Sequence, residues 1–374
     1  EIRLSLVGSE MCIRDSFMMV FGIGGCTALL LTGFGVKDSI KSITYNQFDE
    51  IQINDMSVIF SDPWQDMDGR EFEEVMAENA REFMLAFEES ADLTRGDKSK
   101  SLTLVVPEKA EEIGYYLNLH TTREEPVAYP GKGEVVLTEK LADKCDAKIG
   151  DTVTIQDDDR NTLELKVSGI SENYVYNYAY ISPETWVDQI GKKPEYKSAY
   201  INVKEEKDVH SVSAAIMNCD GVASVTINDD MKVRFSSMMK SLDYVVLLII
   251  GCAGSLAFIV LYNLTNINIT ERLREIATIK VLGFYRRETA SYVFRENLVL
   301  TGIGAGVGLI MGRYLHQFVM YNIDIDMIAF DVHIAPLSVL YSIVLTFVFA
   351  GIVDWAMNKK LDGINMAESM KSVE

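Results

Sequence analysis

The stretch Asn266 to Glu296, NINITERLREIATIKVLGFYRRETASYVFRE, is a charged, helix-prone segment set between two long apolar runs. Leu242 to Tyr262 precedes it and Asn297 to Met320 follows it. Each is long enough to cross a bilayer as a helix, which takes about 20 residues. Two more runs share that character. Phe17 to Val36 has no charge, and Pro336 to Met357 has one acid, Asp354, near its end. The first run continues into VKDSIKSITYNQFDEIQ without a small-residue cleavage site, so it reads as an uncleaved span rather than a signal peptide. An intramembrane acid is by default a functional candidate, but Asp354 is closely followed by Lys359 and Lys360, which favours an interfacial pair. Arg313 and His316 fall in the last turns of the third run, where long side chains snorkel toward water.

Short-loop charge sets the orientation. Arg272, Arg274, Lys280, Arg286, Arg287 and Arg295 crowd the loop between spans two and three, and Lys359, Lys360 and Lys371 follow span four. The loop before span four holds Asp324, Asp326 and Asp331 and no Lys or Arg. The 264–296 loop and both termini therefore face the cytoplasm, and the region between spans one and two lies outside. The expected order is a span at 16–36, an outer domain at 37–240, spans at 241–263, 297–320 and 336–357, a short outer loop at 321–335 and a cytoplasmic tail at 358–374. The fold class is a four-helix membrane protein with a large extracytoplasmic α/β (α+β) domain.

At 374 residues the chain has room for two or three soluble domains, but its bulk composition averages two unlike regions. Residues 37–240 hold about 40 acidic against about 23 basic side chains, most of the formal charge of −20. That balance argues against nucleic acid as a partner and suits a solvated domain. Within it, Asp68 to Glu89 places Phe72, Val75, Met76, Ala80, Phe83 and Phe87 on one side at helical spacing. Ser101–Val106, Glu134–Leu137, Thr152–Ile155, Thr162–Val167 and Tyr174–Ile181 read as strands. A short helix is expected in EKAEEI after Pro107 and another in TEKLADKC. The polar DDDRN at 157–161 reads as a solvated hairpin turn, lacking EF-hand spacing. Ser198–Val203, a helix near Val209–Met217 and Val222–Ile227 read as a β-α-β unit. Two lobes are expected, divided near KKPEYK.

Residues 1–15, EIRLSLVGSEMCIRD, contain VGSEMCIRD, which looks like translated adaptor sequence. They are expected to be foreign, with a basic natural flank upstream.

Enzyme signatures are lacking. There is no GxxxxGK[ST], no HExxH and no GxSxG, and the four histidines stand apart. Any ATP-driven function then needs a separate ATPase, and no cofactor or metal is expected in this chain. Cys12, Cys26, Cys145, Cys219 and Cys252 show no metal-ligand spacing. Only Cys145 and Cys219 lie in the acidic domain, where a disulfide is an open alternative. The glycines of span three run G-x-G-x-G-x-G rather than in a phosphate loop. Gly302, Gly304, Gly306, Gly308 and Gly312 instead give small-xxx-small faces for helix packing. Gly22 and Cys26 offer a similar face in span one.

In the central loop, Thr270 can cap a helix starting at Glu271, and Gly283 can end it. A second helix begins near Arg287 and leads into span three. The first helix would have a charged face and an apolar one. Such a helix suits the inner lipid surface or a partner's groove equally well.

The segment ERLREIATIKVLG within 260–320 resembles the core of the FtsX-like permeases, the MacB/LolC type of ABC transporter subunit. The one-plus-three span order is similar too. EVVLTEKLADKCDAKIGDTVTI…LKVSGISENYVYNYAYIS resembles the family's outer core domain, and INMAESMKSVE its closing tail. The resemblance implies that the loop helix touches an ABC ATPase through Glu271, Arg272, Arg274, Glu275, Ile276, Lys280, Leu282 and Gly283. It also implies that the ATP cycle moves the outer domain through stiff helices. The expected function is a non-enzymatic permease subunit that exports or extracts a lipid, lipoprotein, peptide or antibiotic. Membrane lipids and a second permease module, identical or not, are expected partners. Other readings are a transmembrane signal transmitter that activates a cell-wall hydrolase or sensor, and a membrane-anchored binding protein without an ATPase.

Overall fold

A computed structural model describes residues 2–158, 160–271, 286–323 and 328–362. The chain divides into two compact units. One comprises 1–40, 240–323 and 332–374, and the other 41–239 with 324–331.

The first unit is helical. Its helices are α1 (Ile2–Tyr45), α6 (Asn228–Glu271), α7 (Arg286–Asn322) and α8 (Pro336–Asp362). Four stretches are long and apolar enough to cross a membrane: Phe17–Ile51, Asn228–Ile267, Asn297–Asn322 and Pro336–Met357. Ile23 of α1, Leu261 and Ile269 of α6, and Val353 and Met357 of α8 form one buried apolar cluster. Leu247, Leu248, Val299 and Ile310 point outward, as apolar residues facing hydrocarbon do.

The second unit is built on one nine-stranded sheet, in the order β3-β7-β4-β6-β5-β2-β8-β1-β9. The strands are β1 (Met56–Phe60), β2 (Ala80–Arg95), β3 (Lys98–Pro107), β4 (Glu134–Thr138), β5 (Thr152–Asp157), β6 (Thr162–Ser171), β7 (Tyr178–Tyr180), β8 (Ser198–Val203) and β9 (Val222–Ile227). Because β2 also pairs with β3, six strands (β2, β3, β7, β4, β6 and β5) close into a ring. Inside it pack Phe87, Leu93, Leu104, Leu137, Ile155 and Leu165. Alternation along β6 is regular, with Leu163, Leu165 and Val167 buried and the residues between them exposed. Helices α3 (Glu139–Lys144) and α4 (Pro183–Ile190) add Leu141 and Trp186 to that core. Ser182 caps α4 by accepting from Thr185 N, and Gly191 ends it at φ 79°.

The other lobe has the strand order β2-β8-β1-β9 with α2 (Arg70–Asn79) and α5 (Val209–Met217) on one face. It consists of two β-α-β halves, β1-α2-β2 and β8-α5-β9, and the ring region is inserted between them. The three pairings of these four strands, β2–β8, β8–β1 and β1–β9, are all antiparallel, with β1 between β8 and β9. Met56, Val58, Phe72, Met76, Leu85, Ile201 and Ile216 fill its core.

The structure departs from several expectations. The helix expected over Asp68–Glu89 stops at Asn79, and Phe83 and Phe87 lie on β2. A spacing of four fits a helix, but it is also an even number and keeps both residues on one strand face. Three neighbouring strands supply partners for the backbone of β2, which tips the balance toward strand. EKAEEI forms turns and a short 3₁₀ segment at Ile113–Tyr115 rather than an α-helix. Strand β1 was not foreseen, and it is what separates β8 from β9. The two lobes exist, but one is assembled from both sides of the other. Cys145 and Cys219 are buried free thiols. Cys145 belongs to the ring core, while Cys219, just past α5 in the other lobe, donates to Ala215 O. Asp157 accepts from Asn161 N and Nδ2, each at 2.7 Å, which fixes the hairpin turn.

Candidate functional site

Among the residues assigned to ATPase contact, Arg272, Arg274, Glu275, Ile276, Lys280, Leu282 and Gly283 lie outside the described residues. Glu271 ends α6. The approach to that loop differs from expectation: α6 runs unbroken past Tyr262 to Glu271, so Thr270 is no N-cap. Its hydroxyl donates to Asn266 O at 2.7 Å, the back-bond typical of Thr inside a helix. Nothing between Asn263 and Thr270 breaks a helix, since it holds neither Gly nor Pro.

The glycines of span three divide by what stands opposite them. A Cβ on Gly304 would lie 2.8 Å from Ile23 Cβ, and one on Gly308 would lie 2.6 Å from Gly24 O. One on Gly312 would lie 3.0 Å from Ala28 Cα. These three meet the backbone of span one, four residues apart on each helix. Gly302 has only Phe347 at 3.8 Å, and Gly306 has nothing within 4 Å. On span one the facing small residues are Gly24 and Ala28 rather than Gly22 and Cys26. Gly22 sits against Leu264 of α6.

Polar side chains tie the same helices together. Thr27 and Thr346 hydroxyls lie 3.1 Å apart between spans one and four. Asn297 donates to Asp354 at 3.1 Å. His316 does not snorkel: it is fully buried against Gly35, with Nε2 3.2 Å from Ser39 Oγ. Ser39 Oγ accepts from His333 N and donates to His333 O, so the His316 ring nitrogen must be the donor in that contact. Asp38 accepts from Ala335 N at 2.9 Å. Two adjacent residues of α1 thus hold span three and the chain leading into span four.

In the sheet-bearing unit, separate chain segments converge on one polar junction. α1 ends in a π-helical turn, Asn46–Ile51, which buries Gln47, Phe48 and Ile51. Gln47 Oε1 accepts from Tyr174 N at 2.9 Å and from Val175 N at 3.0 Å. Asn46 Nδ2 donates to Tyr174 Oη at 2.8 Å, and Tyr174 Oη donates to Glu172. His120 Nε2 is 3.6 Å from Glu172. Desolvation pushes the Glu172 carboxyl above its ordinary range, and the Tyr174 hydroxyl and His120 only partly oppose it. The start of α6 joins through Lys232 to Asp49 at 2.6 Å and Asn228 Nδ2 to Gln52 O at 2.7 Å. The segment before span four joins through a Val175–Ile328 bridge, Ala329 N to Tyr174 O at 2.8 Å and Lys140 Nζ to Ile328 O at 2.7 Å. Ile43, Ile51, Tyr174, Phe235, Ile328 and Phe330 pack around these bonds. Sequence reading missed this junction, because its members come from separate segments spread from Asn46 to Ala329. Among the described residues no group of three His, Cys, Asp or Glu could hold a metal. His210 is exposed, with Nδ1 4.0 Å from Asp230.

Comparison with known proteins identifies both halves. A model of the MacB-like periplasmic core domain matches residues 17–218, and one of the FtsX-like permease C-terminal region matches 247–365. No curated protein matches the chain. Among solved structures, the periplasmic region of MacB from Actinobacillus actinomycetemcomitans is 13% identical, at TM-score 0.33, covering 52% of this chain and 97% of that one. The extracellular domain of the noncanonic ABC-type transporter YknZ from Gram-positive bacteria is 11% identical, at TM-score 0.31, covering 46% and 98%. With more than half of the chain under the first model and spans under the second, the chain belongs to the FtsX-like, MacB-type family of ABC-transporter permeases, multi-pass membrane proteins with an extracytoplasmic domain.

Proposed function

We propose that this chain couples ATP hydrolysis by a separate ABC ATPase to motion of its outer domain, 37–240. The work done would be export or extraction of a lipid, lipoprotein, peptide or antibiotic. Both termini and the 264–296 loop face the cytoplasm in this reading, and the positive charge of that loop supports it. The ATPase contact is assigned to Glu271, Arg272, Arg274, Glu275, Ile276, Lys280, Leu282 and Gly283. A second permease module, identical or related, and membrane lipids complete the assembly.

The observation that carries the reading is the polar junction at Gln47 and Tyr174. There the outer domain is hydrogen-bonded to the end of α1, the start of α6 and the segment before span four. A membrane-anchored binding protein needs one tether. Several directional attachments suit a domain that is moved.

The test is copurification of the full chain from its own membranes, with mass spectrometry of what comes with it. An ABC ATPase is expected, and the double substitution Arg274→Glu with Glu275→Arg should lose it and its stimulated ATP hydrolysis. Retention of the ATPase and full stimulation in that variant would overturn the assignment.

A further inference from the structure

We propose that the sheet face shared by β2, β3, β7 and β8 binds an alkylammonium group, with Glu88 as its counter-ion and Tyr178, Tyr180 and Tyr200 as an aromatic wall. The inference goes beyond the transport reading and stands without it.

Strand geometry places these groups together. Along β2, Leu85 and Phe87 enter the two main cores, whereas Met84 and Ala86 face a third cluster with Tyr116, Tyr180 and Tyr200. Glu88 continues that second series by alternation. Register confirms the face. Glu88 is opposite Val105, which is opposite Tyr180, and Ser90 is opposite Thr103, which is opposite Tyr178. Met84 is opposite Tyr200, whose hydroxyl reaches along the strand and donates to the Glu88 carboxylate. A carboxylate therefore sits at the foot of several phenol rings.

The rings are held. Tyr178 and Tyr180 stack with centroids 6.1 Å apart and planes 17° apart. Tyr180 meets Tyr129 at 6.4 Å, and Tyr200 meets Tyr116 at 6.1 Å. Tyr180 and Tyr200 are buried, Tyr178 is half-buried, and Glu88 itself is reached by solvent. Desolvation nevertheless raises the Glu88 carboxyl above its ordinary range. No Lys or Arg among the described residues pairs with it.

An acid with one hydroxyl donor, no cationic partner and aromatic faces around it is matched to a weakly hydrated organic cation. The ring faces attract the cation, and the carboxylate supplies the opposite charge. A small, strongly hydrated ion such as sodium gains little from phenol faces. The source of the ammonium is either a quaternary ammonium compound or the primary ammonium of a lysine in a partner peptide, and the two differ in the bulk around nitrogen.

The test uses the full chain in detergent micelles and titrates tetramethylammonium chloride against sodium chloride at equal ionic strength, read by calorimetry. Saturable binding of tetramethylammonium alone is expected. Glu88→Gln is close in size and keeps an acceptor for Tyr200, and it should weaken binding by about tenfold or more. Tyr178→Leu should weaken it comparably, while Tyr178→Phe keeps the ring and should bind as the parent does. If Tyr178→Leu fails to fold, Glu88→Gln and Tyr178→Phe carry the test. N-acetyl-lysine methylamide as a second probe separates the sources. Tighter binding of that compound assigns a lysine side chain, and tighter binding of tetramethylammonium assigns a quaternary ammonium compound. An equal response to sodium, or undiminished binding in Glu88→Gln, would overturn the proposal.

Discussion

Replacing Gly308 with Ala should loosen spans one and three, whereas the same change at Gly306, half a turn away, should not. The added methyl at 308 would stand 2.6 Å from both Gly24 O and Thr27 Cβ and 3.0 Å from Gly24 Cα. Two of those three atoms are backbone and cannot rotate aside. Ordinary contact begins at 3.4 Å, so the two helices must part by roughly 0.8 Å. A gap of that size forfeits a quarter to a half of each van der Waals contact along the seam. Gly304 and Gly312 share the seam and lose contact with it, so the cost is about 1–3 kcal/mol, the usual range for overpacking. Water offers no compensating apolar burial here, because lipid is as apolar as the helix surface and close packing is what joins the helices. At Gly306 a methyl meets nothing within 4 Å, and Ala is the better helix former by about 0.5–1 kcal/mol. The assay is unfolding of the full chain in mixed micelles by added dodecyl sulfate, followed by loss of helical circular dichroism. Gly308→Ala should lower the midpoint and Gly306→Ala should leave it or raise it. Equal shifts in the two variants, or no shift at 308, would show that the glycine face of span three does not hold span one.

At the junction, Gln47→Leu removes the acceptor of two backbone N–H groups, that of Tyr174, which is buried, and that of Val175, which is partly buried. Leaving each unsatisfied costs about 1–3 kcal/mol, so thermal unfolding of the outer domain should fall by several degrees, and Gln47→Glu should recover part of the loss. Glu172 gives a pH dependence of defined sign. Its folded-state pKa is raised by desolvation, so its proton is held more tightly in the native state than in the unfolded one. Its stabilising contribution is complete below the ordinary Glu range and is lost as pH rises through the raised value. Glu172→Gln cannot titrate, so the difference in Tm between variant and parent should grow as pH rises from about 4. A difference that stays constant with pH would show that Glu172 is not the titrating group.

Hydropathy made the four helices legible, because a bilayer-long charge-free run has few other uses. The strands of the ring were legible where alternation is clean, as in Leu163, Leu165 and Val167. Asp68–Glu89 misled because Phe83 and Phe87 satisfy both periods, and only the partner strands decide between them. Strand β1 is five residues long, too short for alternation to stand out from its surroundings. Closure of the ring depends on β2 reaching β3 along one edge and sharing the other between β5 and β8. No local pattern records such sharing. The glycine motif announced a packing face but not which of its two sides is used. Gly304, Gly308 and Gly312 meet backbone, and Gly302 and Gly306 lie off that line. His120 and His316 read as isolated because their partners, Glu172 and Ser39, lie 52 and 277 residues away.

The chemistry of the junction also bears on how force would pass through it. Packing between apolar surfaces tolerates sliding, since its energy depends on area and hardly on direction. A hydrogen bond weakens steeply once its angle departs from linear. Gln47 holds two successive backbone N–H groups with one oxygen, and Tyr174 is bound in turn through its hydroxyl by Asn46 and Glu172. The π-helical turn that ends α1 buries Gln47, Phe48 and Ile51 together. Displacement of the end of α1 therefore moves the 172–175 segment with it or breaks several buried bonds at once. Under the proposed function, that segment is where helix motion becomes motion of the ring, because β6 ends at Ser171 and β7 begins at Tyr178. A purely apolar junction of equal area would hold the domain as firmly at rest and transmit less.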